Sequence, residues 1–153
     1  MNCSPNKFYE QIETLKKLAL NSSLQYRHSA CLMKGNKIYS VGFNKYTKEI
    51  MYGNEYVKVT IHAEIDALFN YYPKNAKGMD MLIIRIGRSL DLRNSRPCNS
   101  CIDKMNQKGI RKVYYSNDNG DIVYEFIDSM PRIHISSGNM IRDKLRIKCQ
   151  VCF

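Results

Sequence analysis

The sequence predicts an α/β fold, and three observations carry that prediction. Strand-like runs alternate with stretches of helical periodicity along the whole chain. Met79–Ile86 is so dense in apolar residues that it suits a buried central strand. Lys112–Ser116 and Asp121–Phe126 are separated by four turn-forming residues, Asn117-Asp118-Asn119-Gly120. Such a turn closes an antiparallel hairpin, whereas a parallel crossover needs about a dozen residues. The last two strands are therefore predicted to be antiparallel neighbours.

Each element has a local reason. Ser4-Pro5 offers an N-cap followed by proline at a first helical position, and Phe8, Ile12, Leu15, Leu18 and Ala19 recur at helical spacing. A first helix is expected from Pro5 to Leu20, ended by Asn21-Ser22-Ser23. His28–Met33 and Lys37–Phe43 flank Lys34-Gly35-Asn36 as a hairpin. Residues 44–60 pattern weakly and are expected to form a loop whose tyrosines and lysines suit the rim of a pocket. His62–Tyr71 reads as a helix that Pro73 terminates. Gly87–Arg96 reads as a loop, with Pro97 at the start of a helix that Gly109 stops. Beyond Pro131, Asn139–Lys148 suits a short basic helix.

The 153 residues, 44% hydrophobic and 25% charged, suit one globular domain, with 138–153 as a basic C-terminal tail. No apolar run approaches the roughly 18 residues of a membrane span. The first ten residues lack the apolar core of a secretory signal. The expectation is a cytoplasmic protein with no membrane association, in which Cys3 and Cys31 stay reduced. Cys149 and Cys152 form a second C-x-x-C in the tail, read as bland. The net charge of +10 favours anionic partners, either a phosphorylated nucleotide or nucleic acid. The basic residues are scattered, and no block of like charge marks a nucleic-acid arm.

The chemistry is concentrated in two segments, Ile61-His62-Ala63-Glu64 and Arg96-Pro97-Cys98-Asn99-Ser100-Cys101. His62, Cys98 and Cys101 provide the nitrogen and sulfur ligands that Zn2+ favours, and three such ligands leave a tetrahedral position open, as in catalytic sites. Glu64 is a carboxylate placed to handle the protons of water. Cys98 and Cys101, three apart, share a helix face near its positive end, which favours thiolates. Residues two apart on a helix diverge by about 200°. His62 and Glu64 therefore serve one site only if His62 stands at the helix boundary. An H-x-E followed by P-C-x-x-C is the pattern of zinc-dependent base deaminases, which attack C4 of a cytosine and release ammonia. The competing reading is a closed structural zinc with Cys149 or Cys152 as fourth ligand.

Val41-Gly42-Phe43-Asn44, His62-Ala63-Glu64, Pro97-Cys98-Asn99-Ser100-Cys101 and Gly109-Ile110-Arg111-Lys112-Val113-Tyr114-Tyr115 together resemble the cytidine and deoxycytidylate deaminase superfamily. The resemblance covers most of the chain. It implies a cytidine deaminase-like three-layer α/β/α fold with a mixed five-stranded sheet. It also implies one Zn2+ between the helices that follow the second and third strands, and a homo-oligomer. Glu64 becomes the catalytic proton shuttle. Asn44 matches the asparagine that contacts the sugar, the Ala63 backbone meets the base, and the Ser95 backbone lines the base pocket.

Substrate is less marked. Members acting on transfer RNA resemble one another in a Pro-Cys-x-Met-Cys form, where this chain has Ser100. They, the polynucleotide editors and typical deoxycytidylate enzymes insert a helix between strands four and five. The four-residue turn here looks like the free-nucleoside arrangement. Lys45 and Tyr46 depart from the Asn-x-Glu of nucleoside enzymes, and Pro-Cys-Asn-x-Cys is common among deoxycytidylate-type sequences. No His or Cys lies between Asn44 and Ile61 for a second, structural zinc, so one ion is expected. The expectation is a hydrolytic deaminase of a small cytosine nucleoside or nucleotide. A deaminase of RNA or of adenine or guanine, and a non-catalytic zinc-stabilised binding module, are the alternatives. Lys45, Lys48 and Arg96 are the candidates to meet a 5′-phosphate.

Overall fold

Alternation along the strands sorts the side chains of one sheet into two cores. The structure, a computed structural model, describes residues 1–136 except 2, 5 and 53. Pro5, the expected helix at 139–148 and the Cys149/Cys152 pair lie outside the described residues. The elements run α1 (Tyr9–Ala19), β1 (Arg27–Lys34), β2 (Lys37–Phe43), β3 (Lys45–Tyr52), β4 (Glu55–Ile61), α2 (Ala63–Tyr71), β5 (Asp80–Ile86), β6 (Leu92–Arg93), α3 (Asn99–Gln107), β7 (Lys112–Ser116) and β8 (Ile122–Phe126).

The main sheet has the order β2-β1-β5-β7-β8, with the short β6 paired to β5 off that path. β5 and β7 are parallel, while β1–β2, β1–β5 and β7–β8 are antiparallel. The mixed five-stranded sheet and its antiparallel last pair agree with the sequence. Ala30, Leu32, Met81, Ile83 and Val113 project to one face and pack with Ala63, Ile65 and Leu68 of α2 and Ile102 and Met105 of α3. Their neighbours Cys31, Met33, Leu82, Ile84 and Tyr114 project to the other face and meet Leu15 and Ala19 of α1. The two-residue period of a strand thus produces three layers, with α1 the one helix on its side among the described residues. β5 is buried along nearly its whole length, as its apolar run predicts.

Three sequence expectations need correction. The first helix begins at Tyr9 rather than at residue 5. Phe8 precedes it with φ 65 and turns its buried ring edge-on to Tyr114 at 4.8 Å, so a tertiary contact overrides the local cap. Residues 44–60 are mostly not a loop: β3 and β4 form a separate antiparallel hairpin. Tyr46, Lys48, Glu49, Met51, Tyr56 and Lys58 are all exposed, and polar and apolar residues do not alternate regularly along 45–52, the pattern by which a strand is recognised. Pro97 stands one residue ahead of the cap of α3, which is Cys98. Among the described residues, no helix is long and apolar enough to cross a membrane. At the sheet's border, Cys3 N–H donates to the Ile122 carbonyl at 3.1 Å and Tyr124 N–H donates to the Met1 carbonyl at 2.9 Å.

The seat of α2 on β2 is set by one glycine. A Cβ on Gly42 would fall 2.6 Å from the Ala63 carbonyl oxygen and 2.8 Å from the Asp66 carbonyl carbon, and closer still to the Ala67 nitrogen. Backbone cannot yield as a flexible side chain does, so Gly42→Ala should push α2 off the sheet. The expected loss is about 2 kcal/mol or more in urea unfolding. Gly35→Ala, with φ +62 and nothing within 4 Å, should lose only about 1 kcal/mol. Equal losses for the two would refute the close-approach account.

Candidate metal centre

His62 is the N-cap of α2, with extended backbone angles of φ −78 and ψ 154. This removes the angular conflict with Glu64, because His62 does not follow the helical raster. Cys98 is likewise the extended N-cap of α3, and Cys101 lies in that helix's first turn. The caps of two helices therefore meet, and both helix ends carry partial positive charge. His62 Nδ1 lies 3.2 Å from Cys101 Sγ and 3.6 Å from Cys98 Sγ. All three ligand atoms fall within 4.8 Å of one another. A tetrahedral Zn2+ with its usual bond lengths separates nitrogen from sulfur by about 3.6 Å and sulfur from sulfur by about 3.8 Å.

The acidity of the two thiols supports the same reading. The Cys98 thiol is pulled down to about 3, chiefly by its hydrogen bond with Cys101 and then by His62. The Cys101 thiol is pushed far up, because it keeps the proton it donates to Cys98 and is fully buried. Two adjacent buried thiolates repel, so only one ionises without a cation between them. A divalent ion removes that conflict, and these three residues are the group able to hold zinc. Zinc content should fall from about one equivalent to a trace in Cys101→Ser, measured by elemental analysis after dialysis.

The group opens on a cleft of about 820 Å3 whose walls include His62, Ala63, Glu64, Cys98, Asn44 and Ser95. Glu64 is buried, and burial raises its carboxyl above the ordinary range while the charge on His62 opposes the rise. Asn44 accepts from His28 N–H at 2.8 Å and donates to the Tyr26 carbonyl at 2.6 Å, which fixes the start of β1 against the end of β2. Ser95 donates its hydroxyl to the Ile83 carbonyl at 2.8 Å and its backbone N–H to the Ser116 carbonyl at 2.8 Å. Those bonds leave its carbonyl as the backbone group available to a ligand. All seven residues singled out from the sequence are thus close together, with Cys101 just beneath the cleft wall.

The sequence reading missed other lining residues. His28 and Arg85 are register partners on β1 and β5, and both reach the cleft. Arg85 interrupts an otherwise apolar run, which is the signal that could have found it. A third wall comes from Ile133, His134 and Ser136. That segment is tied to α3 by Asn99, whose N–H donates to the His134 carbonyl at 2.7 Å and whose side-chain oxygen accepts from His134 N–H at 3.0 Å. Of the phosphate candidates, Lys45 is paired with Asp66 at 3.0 Å and Lys48 does not line the cleft, whereas Arg96 does.

His28 supplies a pH test. Burial lowers its pKa from 6.5 to about 4, against a hydrogen bond to the Tyr26 carbonyl that works the other way. The unfolded chain takes up this proton as pH falls through 6.5, while the folded chain stays neutral until about 4. Stability is therefore present above 6.5 and lost progressively between 6.5 and 4. In chelated protein, His28→Gln should flatten that part of the unfolding profile relative to the wild type. An unchanged slope would count against the buried neutral imidazole.

Comparison with known proteins agrees with this geometry. The family described as the cytidine and deoxycytidylate deaminase zinc-binding region matches residues 4–117, well over half of the chain. No curated protein matches in sequence. Among solved structures, a dCMP deaminase from the cyanophage S-TIM5, in complex with dCMP and dUMP, is similar with a TM-score of 0.55 and 19% identity, covering 76% of this chain and 85% of that one. A cytidine deaminase from Burkholderia pseudomallei is similar with a TM-score of 0.58 and 18% identity, covering 83% and 98%. At such identities the likeness shows a shared fold.

Proposed function

The chain belongs to the family of cytidine and deoxycytidylate deaminases that carries this zinc-binding region, and from that premise we propose that it hydrolyses the exocyclic amine of a cytosine nucleoside or nucleotide, leaving the uracil form and ammonia. One observation carries the reading: a buried carboxylate, Glu64, lines the same cleft as a His-Cys-Cys group that has no fourth protein ligand among the described residues. Zinc, when held there, supplies a Lewis acid that makes water acidic enough to ionise near neutral pH.

The remaining work falls to the chain. Glu64, its proton affinity raised by burial, accepts a proton from water and passes it to the ring nitrogen as the hydroxide adds to C4. It then takes the proton of the new C4 hydroxyl and gives it to the amine, which leaves as ammonia when the C4–N bond breaks. A carboxylate in bulk solvent would release that proton too readily to relay it. Asn44, already oriented by two hydrogen bonds, presents its amide towards the sugar. The Ala63 backbone and the Ser95 carbonyl flank the base. The tight antiparallel turn between β7 and β8 supports a small-molecule substrate, since no added helix broadens the cleft at that point.

The test is ammonia release from cytidine, deoxycytidine, CMP, dCMP and transfer RNA. Turnover of at least one monomeric cytosine compound is expected, and release from transfer RNA alone would replace this reading with an RNA-directed one. Glu64→Gln should keep its zinc and lose about 1000-fold in kcat. A variant that loses metal along with activity would instead place Glu64 in the metal site.

A further inference from the structure

The cleft holds more positive charge than the chemistry at its metal end uses. Arg85 and Arg96 both line it, and the only lining carboxylate among the described residues is Glu64, beside the metal group. The Arg85 guanidinium lies 4.2 Å from the Tyr26 ring centroid. A guanidinium held against a ring face in this way keeps its N–H groups free for an anion. No carboxylate among the described residues pairs with it. Arg96 is held at two points, by Glu125 at 3.3 Å through Nε and by the Pro131 carbonyl at 2.7 Å through Nη2. Its remaining nitrogen, Nη1, is buried with no partner among the described residues. A buried N–H without an acceptor is costly, and nearly all are matched in native proteins.

The position of this charge identifies what it would meet. Asn44 bonds the backbone of His28, and His28 lies opposite Arg85 in the β1–β5 register. Arg85 therefore neighbours His28, and His28 neighbours Asn44, the residue read as facing the sugar. An anion beside Arg85 would be attached to the sugar end of a ligand rather than to its base. Lys45, the other basic residue near this end, is engaged by Asp66 and lies over the Phe43 ring.

We propose that Arg85, with Arg96, forms the anion-binding part of the cleft and selects a 5′-monophosphate over the corresponding nucleoside. The proposal rests on the deaminase reading for the identity of the base, but the anion site stands on its own residues. Arg85 offers a planar fork to two phosphate oxygens, and Arg96, braced by Glu125, supplies a second cation with an unmatched N–H.

The test compares kcat/KM for dCMP against deoxycytidine and for CMP against cytidine. It also compares equilibrium binding of dUMP, dGMP and dAMP against their nucleosides. Wild-type protein should favour the phosphorylated member by about 10- to 100-fold, the value of a charge-assisted hydrogen-bonded pair. Arg85→Gln should lose most of that preference, and Arg85→Lys should recover part of it, because the charge returns without the fork. Lys17→Gln, an exposed change of the same charge, controls for net charge and should leave the preference intact. Each variant is compared at matched zinc content and melting temperature, so that a misfolded protein is not scored.

The outcomes separate the two readings. Deamination of nucleosides as efficient as that of nucleotides, unaltered in Arg85→Gln, would overturn the anion site and leave the deaminase. Tight binding of a purine nucleotide, lost in Arg85→Gln and without turnover of any cytosine compound, would keep the anion site and overturn the cytosine reading. No binding preference for any monophosphate would overturn the proposal outright.

Discussion

An imidazole and two thiols share a few ångströms here because two helices begin at the same end of one sheet. The parallel pairing of β5 with β7 obliges the chain to cross over between them, and that crossover is α3, whose cap is Cys98. The β3–β4 hairpin delivers the chain to the cap of α2, which is His62. Ligands in open α/β sheets gather beyond the carboxyl ends of parallel strands for this reason, since loops and helix starts collect there. Both caps have extended backbone, which turns their side chains out of the helical path and towards each other. Gly42 lets α2 approach, and the paired serines Ser95 and Ser116 lock the segment that leads into α3. The fold thus brings electron-rich donors closer together than charge repulsion between two thiolates allows, and a dication resolves the conflict.

Much of this was legible because the residues responsible have strong local signals. The apolar run of β5, the Asn-Asp-Asn-Gly turn and the cysteine spacing need no tertiary information. What escaped depended on contacts that only the folded chain creates. Phe8 adopts a left-handed conformation because its ring is buried against Tyr114, so the capping sequence four residues earlier misplaces the helix start. The β3–β4 hairpin exposes Tyr46, Lys48, Glu49, Met51, Tyr56 and Lys58, and its first strand has no regular alternation to read. Arg85 becomes a cleft residue only through its register with His28, and Ile133 and His134 only through the Asn99 clamp. Local chemistry was readable, whereas the lining contributed by distant segments was not.

The net charge of +10 invites an electrostatic account spread over the whole surface, yet several of the lysines have local partners. Lys7, Lys37, Lys58, Lys74, Lys108 and Lys112 each lie over an aromatic ring at 4.9 to 5.9 Å. These contacts explain why a chain with 11 tyrosines also tolerates so many lysines. Each ammonium gains from a ring face while its head stays hydrated. The arginines in the cleft differ in kind, being partly enclosed by low-dielectric walls that strengthen their field.

The strand-like pairing of Met1 and Cys3 with β8 bears on how this sheet meets other molecules of its own kind. An open sheet ends in two rows of unpaired backbone groups, each able to template addition of a foreign strand. Here the β8 border is occupied by the chain's own first residues. The opposite border, β2, carries the exposed Lys37, and its pairing with β1 is broken by a bulge between Leu32 and Met33. A charge and an irregular register both discourage edge-to-edge growth. The two sheet borders are thus guarded by different means, one by occupation and the other by disruption.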